Sequence, residues 1–346
     1  MDNTQFYEVM PDGRYRFRVD HHTINDHNTC DRYFMFRHVG DSRGMVWSTK
    51  GISIKIALGS WWSSVMESFY HEMQFGALPS DHMMLKFAAD AWREHNIEQY
   101  KNQDPEGFDK FGGLPGGQLM ATEYYEAFAA QHFTQWGIVG AELGFGWKDE
   151  LPLGEDDKVV VYYGGKPDLV IWDKAQNMIM PLDFKTKDSV PANAALKYKP
   201  HPQTAGYIFA VRKMLEQLVP KEPEIGALMG PLPKAPTKCV IMVCARFRPT
   251  DKPRSGVRAP RFLPVYPNYD ASEIEEWRQS VMEKCRRLRD SIERGVWTPR
   301  ESACHLFYHG CAFRRVCSMP ANVREMSLQA DFVKVEPWHP YTPEED

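Results

Sequence analysis

The chain has 346 residues, which suggests one elaborated domain or two and is long enough for a sizeable buried core. Hydrophobic residues make up 43% and charged residues 25%, an ordinary globular composition that excludes collagen-like, coiled-coil and disordered proteins. The net charge of −4 excludes a protein that coats nucleic acid with an overall basic surface. With no long apolar run and no signal-peptide core, we expect a cytoplasmic protein without membrane partners.

Taken in chain order, the predicted elements start with short strands and long helices. Strands are predicted at 14–19 and 33–39, helices at 59–73, 81–100 and 118–136, and a Gly/Pro loop at 104–117. The second half changes texture: strands at 137–147, 159–172 and 178–184, a helix at 203–219, a buried strand at 239–247, a loop at 248–264 and a polar helix at 272–294. The order helix, three strands, helix, strand predicts an α/β fold with a mixed sheet flanked by helices.

The change in the type of predicted elements along the chain predicts four segments. They are an N-terminal segment (1–56), a helical region (57–136), a core (137–265) and a C-terminal helix with a cysteine-rich tail (266–346).

The most informative stretch is GKPDLVIWDKAQNMIMPLDFKTK, residues 165–187. Asp183 and Lys185 lie two residues apart in one predicted strand, so their side chains project from the same face. A hairpin turn at 174–177 would bring Asp168, in the preceding predicted strand, alongside them. Two carboxylates in one cavity repel each other, and a hard divalent cation between them removes that cost.

Such a cation, Mg²⁺ or Mn²⁺, would polarise a phosphate oxygen and activate a water molecule, and the lysine would stabilise charge in the transition state. These parts suit metal-assisted hydrolysis of a phosphodiester. Because Asp-x-Lys is a short pattern, a solvated charged hairpin remains an alternative interpretation of these residues taken alone.

The stretch resembles the PD-(D/E)XK nuclease signature, with Asp168 after a proline and Asp183-Phe184-Lys185 on the next strand. The helix that follows begins QTAGY, and its Gln203 and Tyr207 resemble the Gln-x-x-x-Tyr motif of the RecB-like branch. The resemblance implies that Asp168 and Asp183 bind Mg²⁺ or Mn²⁺ and that Lys185 positions the attacking water. It also implies that Gln203 and Tyr207 orient the substrate strand or the lysine.

Further upstream, ALGSWWSSVMESFY (57–70) resembles the first-helix motif of phage-type and RecB-like members. The family pattern implies a metal-binding histidine four residues after the glycine, where this chain has Ser63. Glu67 and His71, on the same line of the helix, are candidate replacements, although an ordinary core or surface histidine explains His71 as well. Glu142 falls where many members carry an extra acidic residue, and it is a further candidate metal ligand.

The seven cysteines are too few for a disulfide scaffold. Cys239, Cys244 and Cys285 lie in apolar or helical settings that favour buried thiols. The other four are one early cysteine, Cys30, and three late ones, Cys304, Cys311 and Cys317. That distribution resembles the iron–sulfur nucleases of the RecB-like group, although the first gap in the tail is longer than their usual one. The resemblance implies a 4Fe-4S cluster that ties the N-terminal segment to the tail, with structural zinc as the alternative.

A basic segment, residues 246–261, has six basic residues and one acidic residue. It predicts contacts with a phosphate backbone, and a solvated loop is the competing interpretation. The candidate contacts are Arg246, Arg248, Arg254 and Arg258.

The sequence therefore predicts a metal-dependent DNA exonuclease of the PD-(D/E)XK type that acts on single strands or duplex ends. The resemblance places it in phage or bacterial recombination or replication, with a possible partner protein. One alternative is a non-catalytic DNA-binding or scaffold subunit that keeps the fold, which Ser63 favours. Another is a zinc-stabilised interaction protein in which the Asp168 to Lys185 match is accidental.

Overall fold

The computed structural model describes residues 6–39, 45–50, 53–145, 151–191, 193–218, 233–247, 260–305 and 310–336. Contacts along the chain separate two compact units. Unit 1 consists of Met1–Gly51, Gly144–Lys166 and Ser272–Asp346, and unit 2 consists of Ile52–Leu143 and Pro167–Ala271. The four segments suggested by composition stay a prediction, and the contacts group residues 144–166 with the terminal segments.

The strands are β1 (Tyr7–Val9), β2 (Tyr15–Val19), β3 (Val46–Thr49), β4 (Trp136–Ala141), β5 (Pro152–Glu155), β6 (Val159–Tyr163), β7 (Leu169–Asp173), β8 (Met178–Lys187), β9 (Val240–Ala245), β10 (Phe262–Val265) and β11 (Phe332–Val335). The α-helices are α1 (His21–Thr29), α2 (Asp31–Phe34), α3 (Ile54–Gln74), α4 (Asp81–Glu94), α5 (Tyr100–Gln103), α6 (Pro105–Phe111), α7 (Gly113–Gln135), α8 (Pro202–Leu218), α9 (Ala271–Arg294), α10 (Arg314–Cys317) and α11 (Arg324–Asp331). Within the described ranges, no helix has the length and apolar character needed to cross a membrane.

Unit 2 is built on a five-stranded mixed sheet in the order β10-β9-β8-β7-β4. Strands β8 and β9 run parallel, and the other neighbouring pairs are antiparallel. Helix α8 lies in the connection between the parallel pair, which requires a crossover of this kind. The predicted α/β class with a mixed sheet is confirmed.

The core of unit 2 forms around α3, whose N-terminus is capped by the Ser53 side chain. Its large apolar residues recur every three or four positions, and Trp61, Trp62 and Phe69 are fully buried among residues of α4, α7 and the sheet. Burying a large apolar side chain contributes about 1.5–3 kcal/mol, so this helix anchors the sheet that carries the candidate site. Truncating Trp62 to alanine should cost about 3–5 kcal/mol.

Two predictions are wrong because the segments concerned are helical. Residues 33–39 were expected to be extended, but they form the end of α2 and a π-helical turn at Met35–Val39. A continuous apolar run does not distinguish a strand from a buried helix, and here Phe34 and Phe36 are both buried.

Residues 104–117 were expected to form a loop, but they form α6 and the start of α7. Asp104 caps α6, Pro105 takes its first position and Gly112 ends it at φ 88°.

The predicted strand at 159–172 is two strands that belong to different sheets. Strand β6 lies in a four-stranded sheet of unit 1 in the order β1-β2-β6-β5, whereas β7 lies in the unit 2 sheet. The interruption falls at Gly164, Gly165 and Pro167, residue types that break strands.

Unit 1 also contains a two-stranded sheet of β3 and β11. Near it, a small buried cluster consists of Phe36, Trp47, Phe313, Val316, Leu328 and Phe332. The rings of Phe313 and Phe332 stack with centroids 4.4 Å apart. Cys311 and Cys317 pack against this cluster, so its packing helps to set their positions.

Candidate active site and cysteine cluster

The β7–β8 hairpin determines where the two predicted aspartates lie. Its antiparallel register pairs Leu169 with Leu182, and Asn177 turns the chain at φ 47°. Asp168 immediately precedes β7 and Asp183 follows Leu182, so the two aspartates come directly after the last pair of the register. The backbone N–H of Phe184 donates to Asp168 Oδ2 at 2.5 Å. The predicted hairpin is confirmed, and it brings both aspartates to one end of the strands.

The charges at this end of the hairpin are strongly coupled. Burial and the charge of Asp183 raise the pKa of the Asp168 carboxyl well above its usual range. Lys185 Nζ lies 2.7 Å from Asp183 Oδ2. Burial disfavours the Lys185 ammonium, but the charges of Asp183 and Asp168 outweigh this and raise its pKa above the usual value. The arrangement holds a protonated lysine against two carboxyl groups that compete for charge.

Helix α8 positions an amide on the other oxygen of Asp183. Gln203 and Tyr207 are one helical turn apart, and both are buried. Gln203 Nε2 donates to Asp183 Oδ1 at 3.1 Å and to the Tyr207 hydroxyl oxygen at 2.9 Å. Asp183 is therefore held by Lys185 on one oxygen and by Gln203 on the other, whereas Tyr207 contacts the amide.

Glu142 lies near these residues through the backbone. Its N–H donates to the Asp168 carbonyl oxygen at 2.8 Å, and Glu142 has φ 49°. Burial and the charge of Asp183 are the larger causes of the raised pKa of Asp168, and Lys185 and the Phe184 N–H oppose them. The charge of Glu142 makes a smaller contribution in the raising direction. The carboxylate oxygens of Glu142, Asp168 and Asp183 do not all lie within 4.8 Å of one another. A ligand role for Glu142 stays a prediction.

Helix α3 approaches β8 just beyond the lysine. A Cβ atom added to Gly59 would lie 3.3 Å from Thr186 Oγ1, so glycine permits this close approach. Along the same helix, Ser63 is half-buried, and Glu67 and His71 are exposed. The His71 ring makes an edge contact with Phe75 at 4.9 Å between centroids. Replacement of the family histidine by Glu67 or His71 stays a prediction.

Lys187 is a candidate functional residue that the sequence reasoning missed. It follows Lys185 by two residues on β8, so strand alternation already indicated that both side chains leave the same face. Burial and the charges of Lys185, Arg246 and Lys197 lower the pKa of Lys187. Lys185, Lys187, Lys197 and Arg246 therefore lie near enough to interact at the end of β8.

Arg246 is buried, whereas the prediction of a contact with the phosphate backbone requires an exposed side chain. It is only 7% exposed, and its guanidinium forms an ion pair with Asp188. The same group donates to the carbonyl oxygens of Lys55 and Thr186 at 3.3 and 3.4 Å. Arg246 thus anchors the end of β9 to β8 and to the start of α3. The other three candidates, Arg248, Arg254 and Arg258, lie outside the described residues.

In unit 1, the four predicted cysteines line one small pocket. Cys30 lies between α1 and α2, Cys304 in a 3-10 turn, Cys311 in the following loop and Cys317 at the end of α10. The backbone N–H of Arg300 donates to Cys30 Sγ at 3.3 Å. No three of these Sγ atoms all lie within 4.8 Å of one another. The pocket is therefore lined by one cysteine of the N-terminal segment and three cysteines of the C-terminal tail.

The remaining cysteines have the environment of ordinary core residues. Cys239, Cys244 and Cys285 are fully buried. Burial raises the pKa of each thiol above its usual value, so they stay protonated and unreactive.

The comparisons with known proteins identify one family. The family model described as the PD-(D/E)XK nuclease superfamily matches residues 21–318. The match includes the hairpin, α8 and all four cysteines of the unit 1 pocket. No curated protein matches the chain.

Proposed function

This chain belongs to the PD-(D/E)XK nuclease superfamily, and from that premise we propose that it is a divalent-metal-dependent DNA nuclease of the RecB-like branch. The observation that carries the proposal is that Asp168, which accepts from the Phe184 N–H, interacts with the charge of Asp183, and that Lys185 Nζ lies 2.7 Å from Asp183 Oδ2. The proposed reaction is hydrolysis of a phosphodiester bond.

The residues at the site fit a divalent cation. Asp183 is 3% exposed, and its charge makes ionisation of Asp168 unfavourable. A cation between the two would relieve this repulsion, which is the usual reason for buried paired carboxylates. Asp168 and Asp183 are the proposed ligands, with Glu142 as a further candidate. Bound Mg²⁺ or Mn²⁺ would polarise a phosphate oxygen and lower the pKa of a bound water.

The other side chains would position the attacking water and the metal-binding aspartate. Lys185, held protonated by the carboxylates, would orient the attacking water and offset negative charge that grows on the phosphate. Gln203 holds Asp183 in place by donating to Oδ1, and Tyr207 fixes the Gln203 amide from the same helix face. In this proposal, Gln203 and Tyr207 act on the aspartate rather than on the lysine.

Single-stranded DNA or duplex ends are the proposed substrate, with exonuclease action. The cations around the end of β8 support a phosphate-bearing substrate, and Arg248, Arg254 and Arg258 are proposed to extend the contacts. The family resemblance suggests a cytoplasmic role in phage or bacterial recombination or replication, with a partner protein.

The four cysteines of unit 1 are the proposed ligands of a 4Fe-4S cluster. Tetrahedral zinc with Zn–S bonds of about 2.3 Å would hold its thiolates about 3.8 Å apart. No three Sγ atoms of this set are within 4.8 Å of one another, which is wider than a single zinc ion would hold them. A bound cluster would tie α1, the 301–305 turn and α10 together, and zinc remains the alternative.

The test is digestion of end-labelled single- and double-stranded oligonucleotides with Mg²⁺, with Mn²⁺ and with a chelator. Cleavage by the wild-type protein that needs the metal and is lost in Asp183→Asn supports the proposal. Asp173→Asn is the matched control, because it changes a carboxylate at the far end of the same hairpin. Equal cleavage by Asp183→Asn and the wild-type protein would disprove the assignment.

A second candidate function is a non-catalytic DNA-binding subunit. Ser63, where the family pattern has a metal-binding histidine, is the observation that favours it. Oligonucleotide binding without cleavage under any metal condition would support this candidate.

A further inference from the structure

Asp20, His21 and His22 form a side-chain cluster that the proposed nuclease chemistry does not use. Each offers one ligand atom, and these atoms all lie within 4.8 Å of one another. The two imidazole rings are 3.8 Å apart between centroids. The cluster lies at the start of α1 in unit 1, whose other end is Cys30.

The Asp20 carboxylate is only partly explained by its role as a helix cap. Oδ1 accepts from the Thr23 N–H at 2.7 Å and from the Thr23 hydroxyl, completing a capping box. Asp20 is 3% exposed, and its Oδ2 is buried with no hydrogen-bond partner among the described residues. A buried carboxylate oxygen without a partner is costly, so an additional cation at Oδ2 would stabilise the folded chain.

Asp20 borders a cavity from which an ion could approach the cluster. His22 is exposed, and it lines a cavity of about 280 Å³ together with Asp20 and Glu336. Arg37 also lines the cavity, but its guanidinium lies 3.2 Å from Asp26 and donates to the Tyr33 hydroxyl oxygen. The charge of Asp20 acts on Arg37, but the ion pair of Arg37 is with Asp26.

We propose that Asp20, His21 and His22 form a binding site for a transition-metal ion of the Zn²⁺ class. One carboxylate oxygen and two imidazole nitrogens suit Zn²⁺, Co²⁺ or Ni²⁺, whereas Mg²⁺ and Ca²⁺ prefer all-oxygen sets. Three protein ligands leave at least one position for water or another ligand from the cavity. The ion would clamp the first turn of α1. None of its residues is a proposed nuclease ligand or one of the four cysteines.

The test is Co²⁺ and Zn²⁺ titration of the full chain, followed by absorption spectroscopy and calorimetry with excess Mg²⁺ present. Cobalt held by nitrogen and oxygen shows visible bands without thiolate-to-cobalt charge transfer, so it is distinguishable from cobalt on the cysteines. Asp20→Asn keeps the capping oxygen, because asparagine caps helices as well as aspartate, and it removes the anionic ligand. His22→Ala removes an exposed imidazole.

The proposal expects one thiolate-free Co²⁺ per chain, bound at least about tenfold more weakly by Asp20→Asn and His22→Ala. His82→Ala is the matched control, because His82 is also the second residue of a helix and is exposed. Its affinity should equal that of the wild-type chain. Thiolate-bound cobalt only, or equal affinity in all four proteins, would overturn the site. Unchanged melting temperatures without metal would show that the variants still fold.

Discussion

Unit 2 and unit 1 assemble their candidate functional residues in different ways. In unit 2, Asp168, Asp183 and Lys185 come from one hairpin, and the register of two consecutive strands places them together. In unit 1, Cys30 meets three cysteines near residue 310, and tertiary packing alone brings them to one pocket. A site made by strand register depends on residues close in the chain, whereas a site closed from distant segments needs the folded unit.

The apolar packing around the two candidate sites also differs. Unit 2 packs α3, α4 and α7 on its sheet around fully buried residues such as Trp61, Trp62 and Tyr124. The buried cluster beside the unit 1 cysteines contains six residues. An apolar cluster of this size supplies little local stability, and a metal centre commonly supplements a small cluster. We therefore expect the proposed metal cluster to stabilise the cysteine region of unit 1 more than the proposed cation stabilises the hairpin of unit 2.

The largest expected effect is that of Cys304→Ser. Structural metal sites can contribute on the order of 10 kcal/mol to folding, so loss of one thiolate should release most of the iron and loosen unit 1. Hydrogen exchange should show faster exchange in α1 and α10, while β7 and β8 stay protected. Cys285→Ala, in the buried face of α9, serves as the control and should keep its iron. Full iron content with normal protection in Cys304→Ser would break the comparison between the units.

The next effect concerns the lysine of unit 2. Lys185→Ala should lower the cleavage rate by about 10²–10³-fold, because it removes a preorganised positive charge beside the reacting phosphate. The measurement is kcat on an end-labelled oligonucleotide at saturating Mn²⁺. Lys174→Ala, at the opposite end of the hairpin, should cleave at the wild-type rate. A Lys185→Ala protein with the wild-type rate would remove this residue from the proposed mechanism.

Gln203→Ala should have a smaller effect on the same site. Its loss leaves Asp183 Oδ1 without a donor, and residues that support metal ligands typically contribute about 10–100-fold to affinity or activity. The Mn²⁺ concentration for half-maximal cleavage should rise accordingly. Gln176→Ala, in the hairpin turn, should leave it unchanged. An identical Mn²⁺ dependence in the Gln203 variant would show that the α8 contact is only structural.

The smallest expected effect is on the pH dependence of stability, through the buried His132 in the core of unit 2. Burial lowers the pKa of His132 from 6.5 to about 3, and its Nδ1 lies 2.6 Å from the Tyr70 hydroxyl oxygen. The neutral imidazole stabilises the fold fully above pH 6.5. As the pH falls toward 3, the unfolded chain takes up a proton that the folded chain does not. The free energy of unfolding should therefore decrease by up to about 1.4 kcal/mol per pH unit.

Urea unfolding between pH 7 and pH 4 checks this dependence. His132→Phe should show a shallower decrease than the wild-type protein, because this linkage is gone, whereas the exposed His71→Ala should not. Equal slopes in His132→Phe and the wild-type protein would show that His132 is protonated in the folded state.

Much of the unit 2 site could be predicted because its geometry follows from short-range rules. Alternation along β8 places Asp183 and Lys185 on one face, and helical spacing places Gln203 beside Tyr207. The same rules indicated Lys187, although that residue was missed. They could not indicate that Gln203 contacts Asp183 or that Arg246 is buried against Asp188, because both contacts depend on neighbouring elements in the fold.

By itself, the sequence determined the order of the core elements, the α/β class and the residues of the hairpin. Hydrophobic period and strand register are properties of neighbouring residues, so they can be recognised without a fold. Asp104, Pro105 and Gly112 are local signals for the helix within 104–117, and Gly164, Gly165 and Pro167 are local signals for the break in 159–172. Only the tertiary structure decided that residues 33–39 are helical, that β6 and β7 join different sheets, and that four distant cysteines share a pocket. Those outcomes depend on which distant surfaces pack together, and local propensity is too weak to oppose that packing.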